Sequence, residues 1–122
     1  MSPAIGPYSP VRRVGDWVIT SGQVGMATGG DGVPALVPGG TLPQLHQVLR
    51  KVADVLAVEG ATLADVVKTT LYLVDMSEFT AVNEVWVAYF TENRPTRSAV
   101  AVVALPAGAR IEVEAWAYVP AV

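Results

Sequence analysis

One arginine stands at the start of the least polar stretch in the second half of the chain. Arg97 precedes residues 98–104, which carry no charge. A planar guanidinium can hold a carboxylate through two parallel hydrogen bonds, so Arg97 is a candidate anchor for an acidic small molecule. The alternative is a salt bridge at the rim of a sheet, with Glu112 or Glu114 as the partner.

Two carboxylates, Glu112 and Glu114, are separated by a single residue. Side chains at positions i and i+2 of a strand point to the same face of the sheet. A carboxylate beside an apolar pocket can have a raised pKa and act as a general acid or base. The same spacing is typical of solvent-facing or ion-paired strand residues, so both interpretations stay open.

Other polar positions carry weaker signals. Ser21 and Gly22 end a predicted strand, where a hydroxyl and a glycine would let a ligand approach the backbone, although strand-end packing explains them equally well. Tyr8 lies in a loop between prolines and either folds over a site or anchors the amino-terminal segment. Asn83 lies among apolar residues of a predicted helix and could tie down a loop. We interpret His46 as a surface residue.

Motifs of several common enzyme classes do not occur in the sequence. Residues 20–23 do not have the form G-x-S-x-G, and the glycines between 25 and 32 form no phosphate-binding motif. The chain has no cysteine, which excludes thiol chemistry and disulfides. Its single histidine argues against a zinc site, and we expect no metal.

Composition indicates a compact domain. The 122 residues are 52% hydrophobic and 16% charged, the reverse of a disordered chain, so we expect residues 1–122 to form a single domain. The net charge of −3, with no basic run longer than two residues, argues against nucleic-acid binding. No apolar run reaches the roughly 18 residues that cross a membrane, and residues 1–4 lack a signal-peptide pattern. We therefore expect a cytoplasmic protein with no membrane partner.

The elements that must position these residues follow from the hydrophobic pattern. Short β-prone segments at 11–14 and 17–23 flank a Gly-Asp turn and predict a hairpin. Residues 26–40 are glycine-rich and predict a loop, with a short strand at 35–37 as an option.

Apolar residues at helical spacing predict a first helix that begins at Thr41, with Gln44 completing a capping box. Gly60 is the expected stop after this helix. Thr62 and Asp65 then predict a single capped turn.

The second half predicts strands at 66–74, 98–104 and 111–119, with a helix between the first two. Ser77 is the expected N-cap of that helix. Its apolar face is expected to consist of Phe79, Val82, Trp86, Tyr89 and Phe90.

The predicted order is β-β-(β)-α-β-α-β-β, which indicates an α+β domain with a mixed sheet and two helices on one face. The strand at 98–104 would be apolar on both faces, and such strands are normally covered on both sides. The missing cover is most simply another copy of the chain. Assembly would then bury the strand faces around Val100 and Val102.

Six segments, taken in order, resemble the Rid family of reactive intermediate deaminases, also called YjgF-type proteins. They are residues 5–9 (IGPYS), 20–23 (TSGQ), 66–70 (VVKTT), 81–85 (AVNEV), 94–98 (RPTRS) and 111–115 (IEVEA). The resemblance extends from residue 5 to about residue 118. It implies a chorismate-mutase-like fold and a homotrimer with sites at subunit interfaces.

The resemblance also implies an activity and roles. Family members hydrolyse reactive enamines and imines, such as 2-aminoacrylate, to 2-keto acids and ammonia without a cofactor. Arg97 matches the arginine that binds the substrate carboxylate, and Glu112 the glutamate that positions or activates water. Pocket or supporting positions are matched by Tyr8, Ser21, Gly22, Asn83 and Ala99; the last stands where many relatives have cysteine and would act through its backbone carbonyl.

Three other functions stay open at this stage. The chain could be another small-molecule hydrolase on the same scaffold, in a dedicated pathway. It could be a non-enzymatic trimer that binds a keto acid or another metabolite. Some relatives are described as endoribonucleases, although the net charge of −3 counts against that activity.

Overall fold

The computed structural model describes residues 6–121, so Ile5 of the first family-like segment and residues 1–4 lie outside the described part. Eight strands and two helices follow each other along it. They are β1 (Val11–Val14), β2 (Trp17–Thr20), β3 (Gln23–Val24), β4 (Met26–Thr28), β5 (Pro34–Leu36), α1 (Thr41–Val58), β6 (Val66–Leu73), α2 (Phe79–Tyr89), β7 (Thr96–Ala101) and β8 (Ile111–Tyr118).

The main sheet has the order β1-β2-β8-β6-β7, and β3 pairs with β8 beyond the end of β2. Strands β6 and β7 run parallel, while the other pairs are antiparallel, which makes the sheet mixed as predicted. The last strand of the chain is therefore central. The predicted strand at 17–23 is broken at Ser21 and Gly22, and the glycine-rich region contains a small hairpin of β4 and β5.

Alternation in β8 determines the two faces of the sheet. Its inner side chains are fully buried against the helices; they are Ile111, Val113, Ala115 and Ala117. Helix α1 adds the apolar stripe that the sequence predicts, and α2 adds Val82 and Trp86. Both helices pack on this one face. The opposite face carries Glu112 and Glu114 and an edge-to-face cluster of Trp17, Trp116 and Tyr118.

The predicted capping box of α1 is wrong. Gly40 is the N-cap, and no side chain caps the helix. The Gln44 amide oxygen instead accepts from the backbone N–H of Arg110 at 2.9 Å. The Thr41 hydroxyl accepts from Arg110 Nε at 2.8 Å and donates to Glu78 at 2.9 Å. Both side chains therefore bond to Arg110, which is distant in sequence, and neither caps the start of α1.

The other predicted helix signals have mixed outcomes. Gly60 ends α1 with a left-handed φ of 79°, as expected. Thr62 and Asp65 form the predicted capped turn, a single 3-10 turn in which the Asp65 carboxylate accepts from the Thr62 backbone N–H at 2.8 Å. Ser77 is not the N-cap of α2, because the carboxylate of Asp75 accepts from the Ser77 backbone N–H at 3.0 Å and caps a 3-10 turn that leads into the helix. No helix among residues 6–121 is long and apolar enough to cross a membrane.

Candidate active site

Arg97 is held against α2. It lies beside the buried Thr69 in the parallel register of β7 and β6, so its side chain points to the helix-covered face. Its Nη2 donates to Asn83 Oδ1 at 2.7 Å. Its Cζ lies 5.3 Å from the ring centroid of Phe79 and 4.9 Å from that of Trp86. Because rings and amide fix the guanidinium on one side, its remaining donors have a defined direction.

The positive charge of Arg97 has no carboxylate partner within residues 6–121. The alternative of a rim salt bridge to Glu112 or Glu114 is therefore wrong for the described chain. Partial burial lowers the pKa of Arg97, yet a guanidinium stays protonated at any physiological pH. The result is an unneutralised cation at a pocket of about 430 Å³. Such a group is suited to bind a carboxylate.

Ala99 lies two residues further along β7, on the same face as Arg97 and against the core. The backbone N–H of Val102 donates to Leu73 O at 3.0 Å, so the backbone groups of Val102 and of every second residue before it face β6. By alternation, the backbone groups of Arg97 and Ala99 point away from β6, along the edge of the sheet. The carbonyl of Ala99 is thus available at the edge, as its proposed role requires.

Glu112 lies on the opposite face of the sheet, against Gly22. A methyl group built on Gly22 would lie 2.7 Å from Glu112 Cδ, closer than real contacts allow. Burial raises the pKa of Glu112, and the negative charge of Glu114 raises it further. A carboxylate with this shift is suited to exchange a proton with a bound water.

Glu114 has a partner of its own. The hydroxyl of Tyr72 donates to Glu114 Oε1 at 2.5 Å, and this bond is the main cause of the raised pKa of Tyr72. Tyr72 also lies directly beside Glu112 in the register of β6 and β8. Glu114 is therefore already bonded, whereas no side chain within residues 6–121 bonds to the carboxylate of Glu112.

Ser21 fastens the Tyr8 loop to the end of β2. Its hydroxyl donates to Ser9 O at 2.6 Å, and its backbone N–H donates to Pro10 O at 2.9 Å. Tyr8 is 48% exposed, and its ring lies over Gly6. Since Gly22 follows Ser21 directly, the loop that carries Tyr8 is tied to the strand end beside Glu112.

The site residues form two groups. The arginine half-site consists of Asn83, Arg97 and Ala99, and the glutamate half-site of Tyr8, Ser21, Gly22 and Glu112. In the sheet, Thr69 of β6 lies between Arg97 of β7 and Ala115 of β8. Glu112 comes three residues before Ala115 on β8, so it is displaced from Arg97 by three residues along the strand direction. That offset is about 10 Å along the strands and about 10 Å across β6, on opposite faces of the sheet. Each half-site is formed within one protomer, but the two half-sites of that protomer lie apart from each other.

The interpretation of His46 as a surface residue is wrong. The side chain is half-buried, and its Nδ1 lies 2.7 Å from the Tyr89 hydroxyl. Within residues 6–121, no three His, Cys, Asp or Glu side chains are placed to hold a metal ion.

Comparison with known proteins then decides the family. Residues 1–119 match the family model described as endoribonuclease L-PSP, which is the Rid or YjgF family. The chain belongs to this family. Its relatives include the 2-iminobutanoate/2-iminopropanoate deaminase of Mus musculus, which is 42% identical over 93% of this chain and 82% of its own.

Solved structures confirm the α+β fold of this Rid-family chain. RidA from the Antarctic bacterium Psychrobacter sp. PAMC 21119 is 38% identical, covers 96% of this chain and 92% of its own, and has a TM-score of 0.88. Escherichia coli TdcF with bound serine is 33% identical, covers 94% of this chain and 90% of its own, and has a TM-score of 0.81.

Three aromatic residues beside the two half-sites have no functional signal in the sequence of this Rid-family chain. Phe79 and Trp86 were expected only as the apolar face of α2, although they also flank the guanidinium of Arg97. Tyr72 belongs to a predicted strand and has no further signal in the sequence. Its position on β6 beside the two glutamates of β8 would identify it, but that position follows from the register of the two strands and not from the local pattern.

Proposed function

We propose that the protein is a deaminase that hydrolyses reactive enamines and 2-imino acids, such as those derived from 2-aminoacrylate, to 2-keto acids and ammonia. The observation that carries the proposal is the fixed guanidinium of Arg97, which has no carboxylate partner among the described residues. The names of the deaminase relatives at about 40% identity support the reaction. No cofactor is needed.

The chemistry uses water as the only co-substrate. The carboxylate of the substrate binds Arg97 and orients the imine carbon, whose nitrogen is protonated. Glu112 takes a proton from a water molecule as the water oxygen bonds to the imine carbon. The proton passes from Glu112 to the nitrogen, the C–N bond breaks, and ammonia leaves with both electrons of that bond. The hydroxyl proton is released as the C=O bond forms, which returns the proton that the imine carried at the start. The sum is imino acid plus water giving 2-keto acid plus ammonia.

The remaining positions have supporting roles. Asn83 holds Arg97 through its hydrogen bond, and the backbone carbonyl of Ala99 faces the water. Ser21 fixes the loop of Tyr8, which contributes its hydroxyl to the pocket. Gly22 leaves the space that the Glu112 carboxylate occupies. We assign these five residues to substrate binding and the pair Arg97 and Glu112 to catalysis.

The complete site is shared between two subunits of a homotrimer. A site that needs both Arg97 and Glu112 has to combine the arginine half-site of one copy with the glutamate half-site of the next, because they lie on opposite faces of one sheet. The helix-free face is available for such packing. We further propose that residues 1–122 form one domain that acts on small imino acids in the cytoplasm.

A coupled assay tests the reaction. An amino-acid oxidase generates 2-iminobutanoate, semicarbazide traps it, and the trapped product is followed by absorbance with and without the protein. We expect the wild type to suppress trapping and to release 2-oxobutanoate. Glu112→Gln should lower turnover by about 10²-fold, because it keeps the shape of the side chain but removes the base.

Glu114→Gln is the matched control, since Glu114 differs from Glu112 by two positions on the same face and is bonded to Tyr72. Its turnover should stay near that of the wild type. Unchanged trapping with folded wild-type protein would contradict the proposal. Binding of 2-oxobutanoate through Arg97 in that case would indicate a metabolite-binding protein instead.

A further inference from the structure

The pocket beside Arg97 contains a second arginine. Its lining is formed by residues from α2 and from the segment that leads into β7. They are Asn83, Trp86, Val87, Arg94, Pro95 and Arg97. No acidic side chain is among these residues, although the chain as a whole has a net charge of −3. Its volume of about 430 Å³ is in the range that holds small molecules.

Arg94 is placed by its local backbone. Asn93 adopts a left-handed φ of 50° just beyond α2, which turns the chain back toward the helix end. Arg94 Nε then donates to the carbonyl oxygen of Phe90 at 3.1 Å. This bond uses one of the five N–H donors of the guanidinium. The remaining donors are free for a ligand, because Arg94 forms no salt bridge within residues 6–121.

Two cations in one pocket repel each other, and a bound anion offsets the repulsion. A single carboxylate neutralises only the charge of Arg97, so a second negative group is needed to neutralise the charge of Arg94. The surface beside the two arginines includes the apolar side chains of Trp86, Val87 and Pro95. That surface suits a short hydrocarbon chain with an acidic group at each end.

We infer that Arg94 binds the distal carboxylate of the substrate, so that this deaminase prefers 2-imino dicarboxylic acids over 2-imino acids with an apolar side chain. The inference rests on the proposed function, because it assigns the α-carboxylate of the same substrate to Arg97. The substrate would then come from a reaction that oxidises the Cα–N bond of an acidic amino acid, or that removes a leaving group from the β-carbon of one.

Titration of the product keto acids tests the assignment without turnover. Calorimetry measures the Kd of 2-oxoglutarate, with two carboxylates, and of 2-oxobutanoate, with one, for wild type, Arg94→Gln, Arg94→Lys and Arg50→Gln. Wild type should bind 2-oxoglutarate about tenfold more tightly, because it gains a charge-assisted bidentate contact. Arg94→Gln should abolish this preference, and Arg94→Lys should keep only part of it.

Arg50→Gln is the control, since Arg50 is an exposed arginine of α1 that bonds to Gln47. It should leave the affinity ratio unchanged. An equal affinity of wild type for both acids, or a preference that survives in folded Arg94→Gln, would overturn the inference. Circular dichroism of each variant identifies misfolding, and Arg94→Lys then decides the question if the Gln variant does not fold.

The coupled assay separates the two proposals. If wild type turns over 2-iminobutanoate and shows no preference for the imine of glutamate, the deaminase function stands and the Arg94 assignment is wrong. If no imine is turned over but 2-oxoglutarate binding depends on Arg94, the reaction is wrong and the anion subsite stands.

Discussion

The carboxylate of Glu112 occupies the space beside Gly22 that a side chain would need. A methyl group there would lie 2.7 Å from Glu112 Cδ. Gly22 does not have a left-handed φ, so another residue could adopt its backbone conformation. The glycine is therefore required by the neighbouring carboxylate alone.

Gly22→Ala should displace Glu112 without unfolding the protein, because Glu112 is only half-buried and can rotate away. We expect turnover to fall by at least about tenfold while keto-acid binding at Arg97 is retained. Steady-state kinetics and titration measure the two effects. Gly30→Ala is the control, since nothing lies within 4 Å of a methyl group at that exposed position. Full turnover in Gly22→Ala would show that the Glu112 position is not critical.

The pH dependence of turnover should report Glu112. Its pKa is raised by burial and by the charge of Glu114, and the base must be deprotonated, so kcat should rise with pH through this raised value. Glu114→Gln removes the neighbouring charge, lowers the pKa of Glu112 and moves the acid limb to lower pH, with nearly the same plateau. A pH profile of both proteins measures the displacement. An acid limb that stays in place or moves up would contradict the coupling.

Arg97→Lys should fail almost as completely as Arg97→Ala. A lysine cannot donate to Asn83 and present two parallel donors to a carboxylate at the same time. We expect kcat/KM to fall by about 10²-fold or more, since a charge-assisted bidentate contact is lost. Arg50→Lys is the control, because it makes the same arginine-to-lysine change at an exposed position of α1 outside the site. Substantial activity in Arg97→Lys would mean that a point charge is enough for binding.

Mixed trimers test whether the site is shared. Arg97→Ala and Glu112→Gln proteins should each be nearly inactive. Joint refolding of equal amounts should restore activity at about one quarter of the sites, where an intact Arg97 meets an intact Glu112 from the neighbouring copy. The coupled assay measures the gain. Mixtures as inactive as their components would place both groups in one subunit.

Assembly can be disrupted at an exposed valine. Val100 is 43% exposed in the protomer and lies on β7, so Val100→Asp should leave the protomer folded. In the trimer an unpaired buried charge costs several kcal/mol, so we expect monomers and loss of activity. Sedimentation velocity measures the mass. Val33→Asp, at an exposed position before β5, should remain trimeric. A monomeric wild type would remove the shared site.

Local patterns predicted those parts of the fold that depend on neighbours in sequence. The spacing of Glu112 and Glu114 correctly placed both carboxylates on one face of β8, because successive side chains of a strand alternate between its two faces. Gly60 and the turn at Thr62 were correct because they too depend on neighbours in sequence. The capping box at Thr41 was wrong, because its polar groups bond to Arg110, a partner that no local pattern reveals.

The site was only partly accessible from sequence. Family resemblance supplied Arg97 and Asn83 as separate positions, and their contact appears only when α2 packs beside β7. The separation of Arg97 from Glu112 depends on strand order and register, which alternation does not determine. Arg94 has no functional signal in the sequence beyond its place in the family-like segment 94–98, since its position in the pocket depends on the turn at Asn93.

The central position of β8 has a consequence for synthesis on the ribosome. Within residues 6–121, the sheet joins the hairpin of β1 and β2 to the parallel pair β6 and β7 only through β8, the last of the described strands. Arg110, the residue before β8, is made 66 residues after Gln44, whose side chain it contacts at the beginning of α1. A nascent chain therefore carries two unjoined sheet edges, which are prone to mispairing, until β8 emerges. Closure of the sheet therefore depends on residues 111–118.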